Sequence, residues 1–337
     1  MRAWVLDEGA DTYRLDEATE PQVGPWDVKV ELRTSALNHL DLWVARGMPE
    51  PPSYPHVPGA DGAGIVVDVG QAVEHLSVGA EVLIDPSTSC GRCEACLAGN
   101  IPYCSSFAVL GEHRWGTHAD VVVVPGANVA RKPDGLSWDR AGSFGLVLSS
   151  AVRMARRARI EPGSKVLVVG VGGGSASAAF LTAKALGAQV YATSRAEPTL
   201  AWATEHGAAA VFGSTGPYDE EIRTRTGGRG VDVVIDNVGT ATFERSLRAL
   251  AKGGRLVTNG STSGRTAELS LPTLFWRQLE VIGASMNDRS DFAEAVRPVA
   301  DGEVDVPVAT AVPFEHYPEA MELLERADQI GKLILVR

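Results

Sequence analysis

The stretch from Lys165 to Gly187, KVLVVGVGGGSASAAFLTAKALG, constrains this chain more than any other. It reads as a short apolar strand, a four-glycine loop (Gly170, Gly172, Gly173, Gly174) and an alanine-rich helix opened by Ser175 and Ala176. A strand that enters a helix through glycines lets backbone N–H groups approach a pyrophosphate, and the positive end of the helix favours that charge. Glycines also serve ordinary turns, but strand before and helix after is the context that dinucleotide binding requires.

The surrounding pattern agrees. Six strand-like runs, 166–169, 189–193, 209–212, 231–235, 255–258 and 280–283, alternate with helical runs at 175–186, 198–205, 241–251 and 272–278. Alternation of this kind predicts a parallel, doubly wound sheet. Residues 1–124 read differently, as short strands broken by Gly and Pro. One helix is expected over 35–47, where Leu37, Leu40, Trp43 and Val44 follow helical spacing, and another over 138–160. The tail carries helices at 291–299 and 318–327 and a last strand, 332–336, expected to rejoin the first domain. At 337 residues two domains are expected: 1–150 with 288–337, and 151–287. A net charge of −11 argues against nucleic acid or an anionic membrane as partner. No apolar run of signal-peptide or membrane-span length occurs, so the expected place is the cytoplasm.

The motifs Asn38-His-Leu-Asp41, Pro58-Gly-Ala-Asp-Gly-Ala-Gly64, the loop Cys90–Cys104, the Gly170–Gly174 loop and Gly230–Gly239 together resemble the medium-chain dehydrogenase/reductases, the group of zinc alcohol dehydrogenases and quinone oxidoreductases. The resemblance runs end to end. It implies an α/β protein with a GroES-like β-rich catalytic domain, a Rossmann domain with a doubly wound parallel sheet, and assembly as a homodimer or homotetramer.

Cys90, Cys93, Cys96 and Cys104 place four soft ligands in one loop. Thiolates at this density suit tetrahedral Zn²⁺ and leave no open position for substrate. The spacing is similar to the structural-zinc lobe of alcohol dehydrogenases, which implies one structural Zn²⁺ per chain. An iron–sulfur cluster, disulfides or an empty lobe are the alternatives.

The resemblance also places the three principal ligands of a catalytic zinc at Asn38, Ala60 and Leu146, with Asp61 for the following glutamate. Alanine and leucine have no donor, and a neutral amide is a poor zinc ligand. The Asn-x-x-Asp arrangement instead resembles zinc-independent quinone oxidoreductases. His39, His56, Asp41 and Asp61 are the candidates for an alternative metal site.

In NAD-binding sheets an acid near the end of the second strand takes the ribose 2′-hydroxyl. Here Ser194 stands there and Arg195 follows. Both can hydrogen-bond a 2′-phosphate that a carboxylate would repel, so the expected cofactor is NADP(H). Asn237, Gly239, Gly260, Ser261 and Ser285 follow strands of the sheet, where ligands bind, and are further cofactor candidates.

Without a Lewis acid, hydride can still pass to the β-carbon of an enone or to a quinone, where hydrogen-bond donors stabilise the resulting oxyanion. Asn38, His39, Asp41 and His56 are the candidate catalytic residues: Asn38 to hold hydroxyls, Asp41 to fix the loop or a ribose, His39 or His56 to give the proton. Tyr54 is a weaker candidate acid. Trp43 and Trp276 are candidates for pocket lining or core, and Arg153, Arg156, Arg157 and Arg159 for a solvated face. The reading is an NADPH-dependent reductase of quinones or α,β-unsaturated carbonyl compounds. The alternatives are an alcohol dehydrogenase or carbonyl reductase with a rearranged metal site, and a nucleotide-binding protein without turnover.

Overall fold

The computed structural model describes residues 1–337, which divide into two compact units. One comprises Met1–Ser149, Asn287–Gly302 and Val306–Arg337, the other Ser150–Met286 and Glu303–Asp305. No helix is long and apolar enough to cross a membrane.

The first unit is built on a seven-stranded sheet. Its order is Val308–Pro313, Lys332–Val336, Asp27–Ala36, Asp61–Val69, Glu81–Ile84, Val129–Arg131, and Val121–Pro125 pairs separately with Asp27–Ala36. The central strand Asp27–Ala36 alternates in burial, as a period of two demands. Val28, Val30 and Leu32 point into one core with Val66, Val82, Val122 and Val124. Each such side chain contributes about 1.5–3 kcal/mol by leaving water. A second cluster gathers Trp4, Leu37, Phe314, Tyr317, Leu324, Leu333 and Leu335.

Two strand registers converge on Ala36. Lys332–Val336 runs antiparallel to Asp27–Ala36 with Ile334 opposite Ala36, and Asp61 pairs with the same Ala36 from the other side. Extended by two residues, the first register brings Lys332 opposite Asn38. Three chain segments therefore end at one corner of the sheet.

The second unit is a six-stranded, all-parallel sheet in the order Ala210–Gly213, Gln189–Ser194, Lys165–Val169, Val231–Asp236, Leu250–Thr258, Glu280–Gly283. Numbered along the chain this is 3-2-1-4-5-6, the doubly wound order of dinucleotide-binding sheets. Strand Lys165–Val169 is buried at its last four positions, as a central parallel strand should be.

Several expectations are corrected. The helix expected over 35–47 is only His39–Ala45, because residues up to Ala36 still pair in the sheet and Leu37 bonds the carbonyl of Leu333. The helix over 138–160 is two, Trp138–Ala141 and Gly145–Arg157, broken at Gly142. The helix Phe243–Ala249 stops at Leu250, where the fifth strand already begins. Trp276 is not core: it is 72% exposed, on a helix Leu271–Arg277 that has no buried residue. Arg153 is not on a solvated face; it is 5% exposed, one turn beyond the buried Ser149 and Ser150, while Arg156 and Arg159 are exposed.

Candidate active site and cofactor loop

Asn38 has extended backbone and caps the helix His39–Ala45. A capping box holds it at the N-terminus of the helix: the Asn38 N–H donates to the side chain of Asp41, three residues on, at 2.7 Å. The other Asp41 oxygen accepts the Gly59 N–H at 3.1 Å. Asp41 is thus committed to backbone groups and is 1% exposed. His118 Nε2 lies 3.6 Å from it, and His118 Nδ1 meets Ser35 Oγ at 3.1 Å.

The sheet corner holds an ion cluster. Lys332 Nζ donates to Asn38 Oδ1 at 2.5 Å and to Asp61 Oδ2 at 2.9 Å. Asn38 Nδ2 donates to the same Asp61 oxygen at 3.1 Å and weakly to the Ala36 carbonyl at 3.4 Å. Asp61 Oδ1 accepts the Leu146 N–H at 2.5 Å. Lys332 is 2%, Asp61 0% and Asn38 8% exposed. The amide of Asn38 is therefore spent within the protein, not offered outward. Asp61 was readable in the sequence, whereas Lys332 was missed. A lysine opening an apolar strand looks like an ordinary strand end, and only the pairing register brings it to Asn38.

The two histidines fare differently. His56 is 1% exposed, and its Nε2 meets the Gly111 carbonyl at 3.0 Å. Its Nδ1 is buried with no partner. Burial first, against that carbonyl, holds its pKa down. His39 is half-buried at the first turn of its helix, its ring 6.3 Å from that of Trp43. Its pKa is lowered by burial first and by the Lys332 ammonium next, with Asp41 opposing. Tyr54 lies in the loop before His56, and its pKa is raised, by burial first.

The four thiols fall together, with every Sγ within 4.8 Å of the others. Cys90–Cys96 measures 3.9 Å, and Cys93–Cys96 and Cys90–Cys104 measure 3.5 Å. A tetrahedron of bonds of about 2.3 Å needs sulfurs about 3.8 Å apart, so the set fits Zn²⁺. All four cysteines are free of disulfides. No other group of three or more His, Cys, Asp and Glu side chains comes within such range, so His39, His56, Asp41 and Asp61 are not gathered as a metal site.

In the second unit the glycine loop is open. Gly170 has φ +74°, which a side chain resists, and its N–H donates to Thr193 Oγ1 at 3.2 Å. Gly173 caps the helix Gly174–Ala185 with no side-chain hydrogen bond, and a Cβ there would meet nothing within 4 Å. The first N–H groups, at Gly174, Ser175 and Ala176, are left for a ligand, as a pyrophosphate requires; Gly172 lies in the same loop. Ser194 ends the second strand, its Oγ accepting the Ala196 N–H at 3.1 Å, and Arg195 is exposed beside it. Asp236, which sequence reasoning passed over, ties the loop after the fourth strand. It accepts the N–H groups of Val238 and Gly239 and the hydroxyls of Thr242 and Ser246. Asn237 Oδ1 accepts the Asn259 N–H, and Gly239, Gly260 and Ser261 close in on the same loop. Ser285 is exposed just beyond the strand Glu280–Gly283. All five lie beyond carboxyl ends of parallel strands.

Residues 24–134 match the alcohol dehydrogenase GroES-like domain, and residues 162–301 match the zinc-binding dehydrogenase family. The chain is 32% identical to an NAD-dependent alcohol dehydrogenase of Sulfolobus acidocaldarius over 99% of both chains. It belongs to the zinc-type medium-chain dehydrogenase/reductase superfamily. It is also 29% identical, over 99% of both chains, to an acryloyl-coenzyme A reductase of Metallosphaera sedula. A crystal structure of an NAD-dependent alcohol dehydrogenase superposes with a TM-score of 0.96 at 40% identity, covering all of both chains. The chain is accordingly an NAD(P)H-dependent oxidoreductase of small organic substrates with a GroES-like and a Rossmann-type domain.

Removing Asp61 tests the cluster. Asp61→Ala leaves the Lys332 ammonium buried with the amide alone and orphans the Leu146 N–H. We expect a loss of about 3–5 kcal/mol in urea denaturation, and a loss under about 1 kcal/mol would contradict a tightly paired centre.

Proposed function

We propose that this enzyme transfers hydride from NADPH to the β-carbon of an α,β-unsaturated carbonyl compound, or to a quinone, without a catalytic zinc. The observation that carries this reading is the Lys332 ammonium between Asn38 and Asp61. Two of the positions where zinc-type relatives bring metal ligands hold Ala60 and Leu146, and the donors that remain are already bonded to a cation of the protein's own. The relative named acryloyl-coenzyme A reductase supports the choice of a conjugated C=C substrate.

The nicotinamide, when bound, supplies the hydride. As hydride reaches the β-carbon, the C=C electron pair shifts toward the carbonyl and leaves an enolate. His39 then gives a proton to the α-carbon, so that NADPH, one proton and the enone become NADP⁺ and the saturated carbonyl. Of the two candidate histidines His56 is fully buried against the Gly111 carbonyl, whereas His39 is only half-buried. Asp41 holds Asn38 and His39 in place through the capping box. Cys90, Cys93, Cys96 and Cys104 would hold one structural Zn²⁺, whose role is the order of their loop and not chemistry.

Ser194 and Arg195 support NADP(H), since no carboxylate stands at the end of the second strand. The unpaired edge strand Glu280–Gly283, with the exposed Leu271, Phe275, Trp276 and Val281 near it in sequence, supports self-association as a homodimer or homotetramer.

Three outcomes are expected. Dialysed against a chelator, the protein oxidises NADPH with an enone or quinone and keeps at most one zinc per chain by elemental analysis. Two zinc ions per chain with turnover of simple alcohols would establish the metal-dependent alcohol dehydrogenase instead, and binding of NADPH with no turnover the non-enzymatic alternative. Arg195→Ala raises KM for NADPH roughly tenfold with little change for NADH, by loss of a charge-assisted hydrogen bond; a wild-type preference for NADH would overturn the assignment. Light scattering of the Trp276→Lys variant shows a lower mass than wild type; an unchanged mass removes this surface from the assembly.

A further inference from the structure

We propose that Lys332 is a positioning residue of the reduction, its ammonium serving as the fixed positive charge beside His39, clamped in place by Asp61 and Asn38. The inference deepens the metal-free reading above and rests on it. Three observations lead to it. The ammonium is 2% exposed and is fastened to Asp61 Oδ2 and Asn38 Oδ1. A buried ion pair contributes little to stability that apolar side chains could not supply, so its place asks for another reason. And the amide it holds belongs to the residue directly before His39, at the turn where the strand Asp27–Ala36 gives way to the helix.

The consequence is electrostatic. A positive charge near His39 disfavours a second one on the imidazole, in the same direction as its burial. Asp41, on the same helix, pulls the other way, and Trp43 adds an uncharged ring. An imidazolium in this field is a stronger acid and gives its proton more readily to an enolate carbon. The same ammonium favours negative charge developing on the substrate oxygen. Lys332 is too deeply buried to touch the substrate, so it acts through Asn38, through His39 and through its field. The bond changes remain those of the hydride and proton transfers above, with no covalent step at Lys332.

The test reads His39 directly and needs no turnover. Histidine ring resonances of the full chain are titrated by NMR in wild type, Lys332→Met and Lys332→Arg, with His39→Gln to assign the signal. His39 is expected to titrate at higher pH in Lys332→Met and near the wild-type pH in Lys332→Arg. Should Lys332→Met fail to fold, the charge-neutral pair Lys332→Met with Asp61→Asn, which leaves no unpaired buried carboxylate, takes its place with the same expectation.

In turnover, on the low-pH plateau where the imidazolium is fully populated in both forms, kcat of the methionine variant falls at least tenfold while KM for NADPH holds. The protonated imidazole is the donor, and its population falls as pH rises through its pKa. Raising that pKa therefore moves the descending limb of kcat to higher pH. A His39 titration unmoved by Lys332→Met would falsify the proposal. A wild-type enzyme that reduces no enone or quinone overturns the function proposed above, and the NMR titration still decides whether Lys332 governs His39.

Discussion

A charge taken out of water must find its opposite, and the first unit is arranged around one such pair. Lys332 and Asp61 come from strands on either side of Asp27–Ala36, with Asn38 just past that strand's end. The registers that set Ile334 and Asp61 against Ala36 are what make the pair possible. A one-residue slip of either strand would turn its side chain to the other face of the sheet. The ion pair and the sheet register therefore specify each other, and the placement of Asn38, His39 and Asp41 follows from both.

The second unit solves a different problem with backbone alone. Its parallel strands end together, and what matters there is absence: no side chain at Gly173 and no side-chain hydrogen bond capping the helix after it. Asp236 is the exception that makes the edge rigid, since a buried carboxylate with two N–H donors and two hydroxyl donors fixes the loop carrying Asn237 and Gly239. The cysteine loop is a third solution, in which soft donors gather at the spacing a metal would impose.

Much of this was legible in the sequence, and the reasons are local. The six parallel strands announce themselves as apolar runs between helical stretches, and the glycine loop carries its own context. The cysteines lie within fifteen consecutive positions, so their meeting needs no knowledge of the fold. Lys332 was illegible because its partners are 294 and 271 residues away. Asp236 was illegible because a carboxylate closing an apolar strand looks like a solvent-facing end. The helix around Trp43 is shorter than its spacing predicts because the alternation of a strand and the period of a helix overlap at Leu37, and pairing decides between them. Trp276 shows the limit of reading aromatics as interior, since most of its ring faces outward.

The return of the polypeptide to its starting unit has a consequence for synthesis. Asn38 and Asp61 leave the ribosome more than 250 residues ahead of the lysine that binds them both. The buried pair cannot form until that last strand has been made, so this corner of the first sheet is completed only after the whole of the parallel sheet has been synthesised.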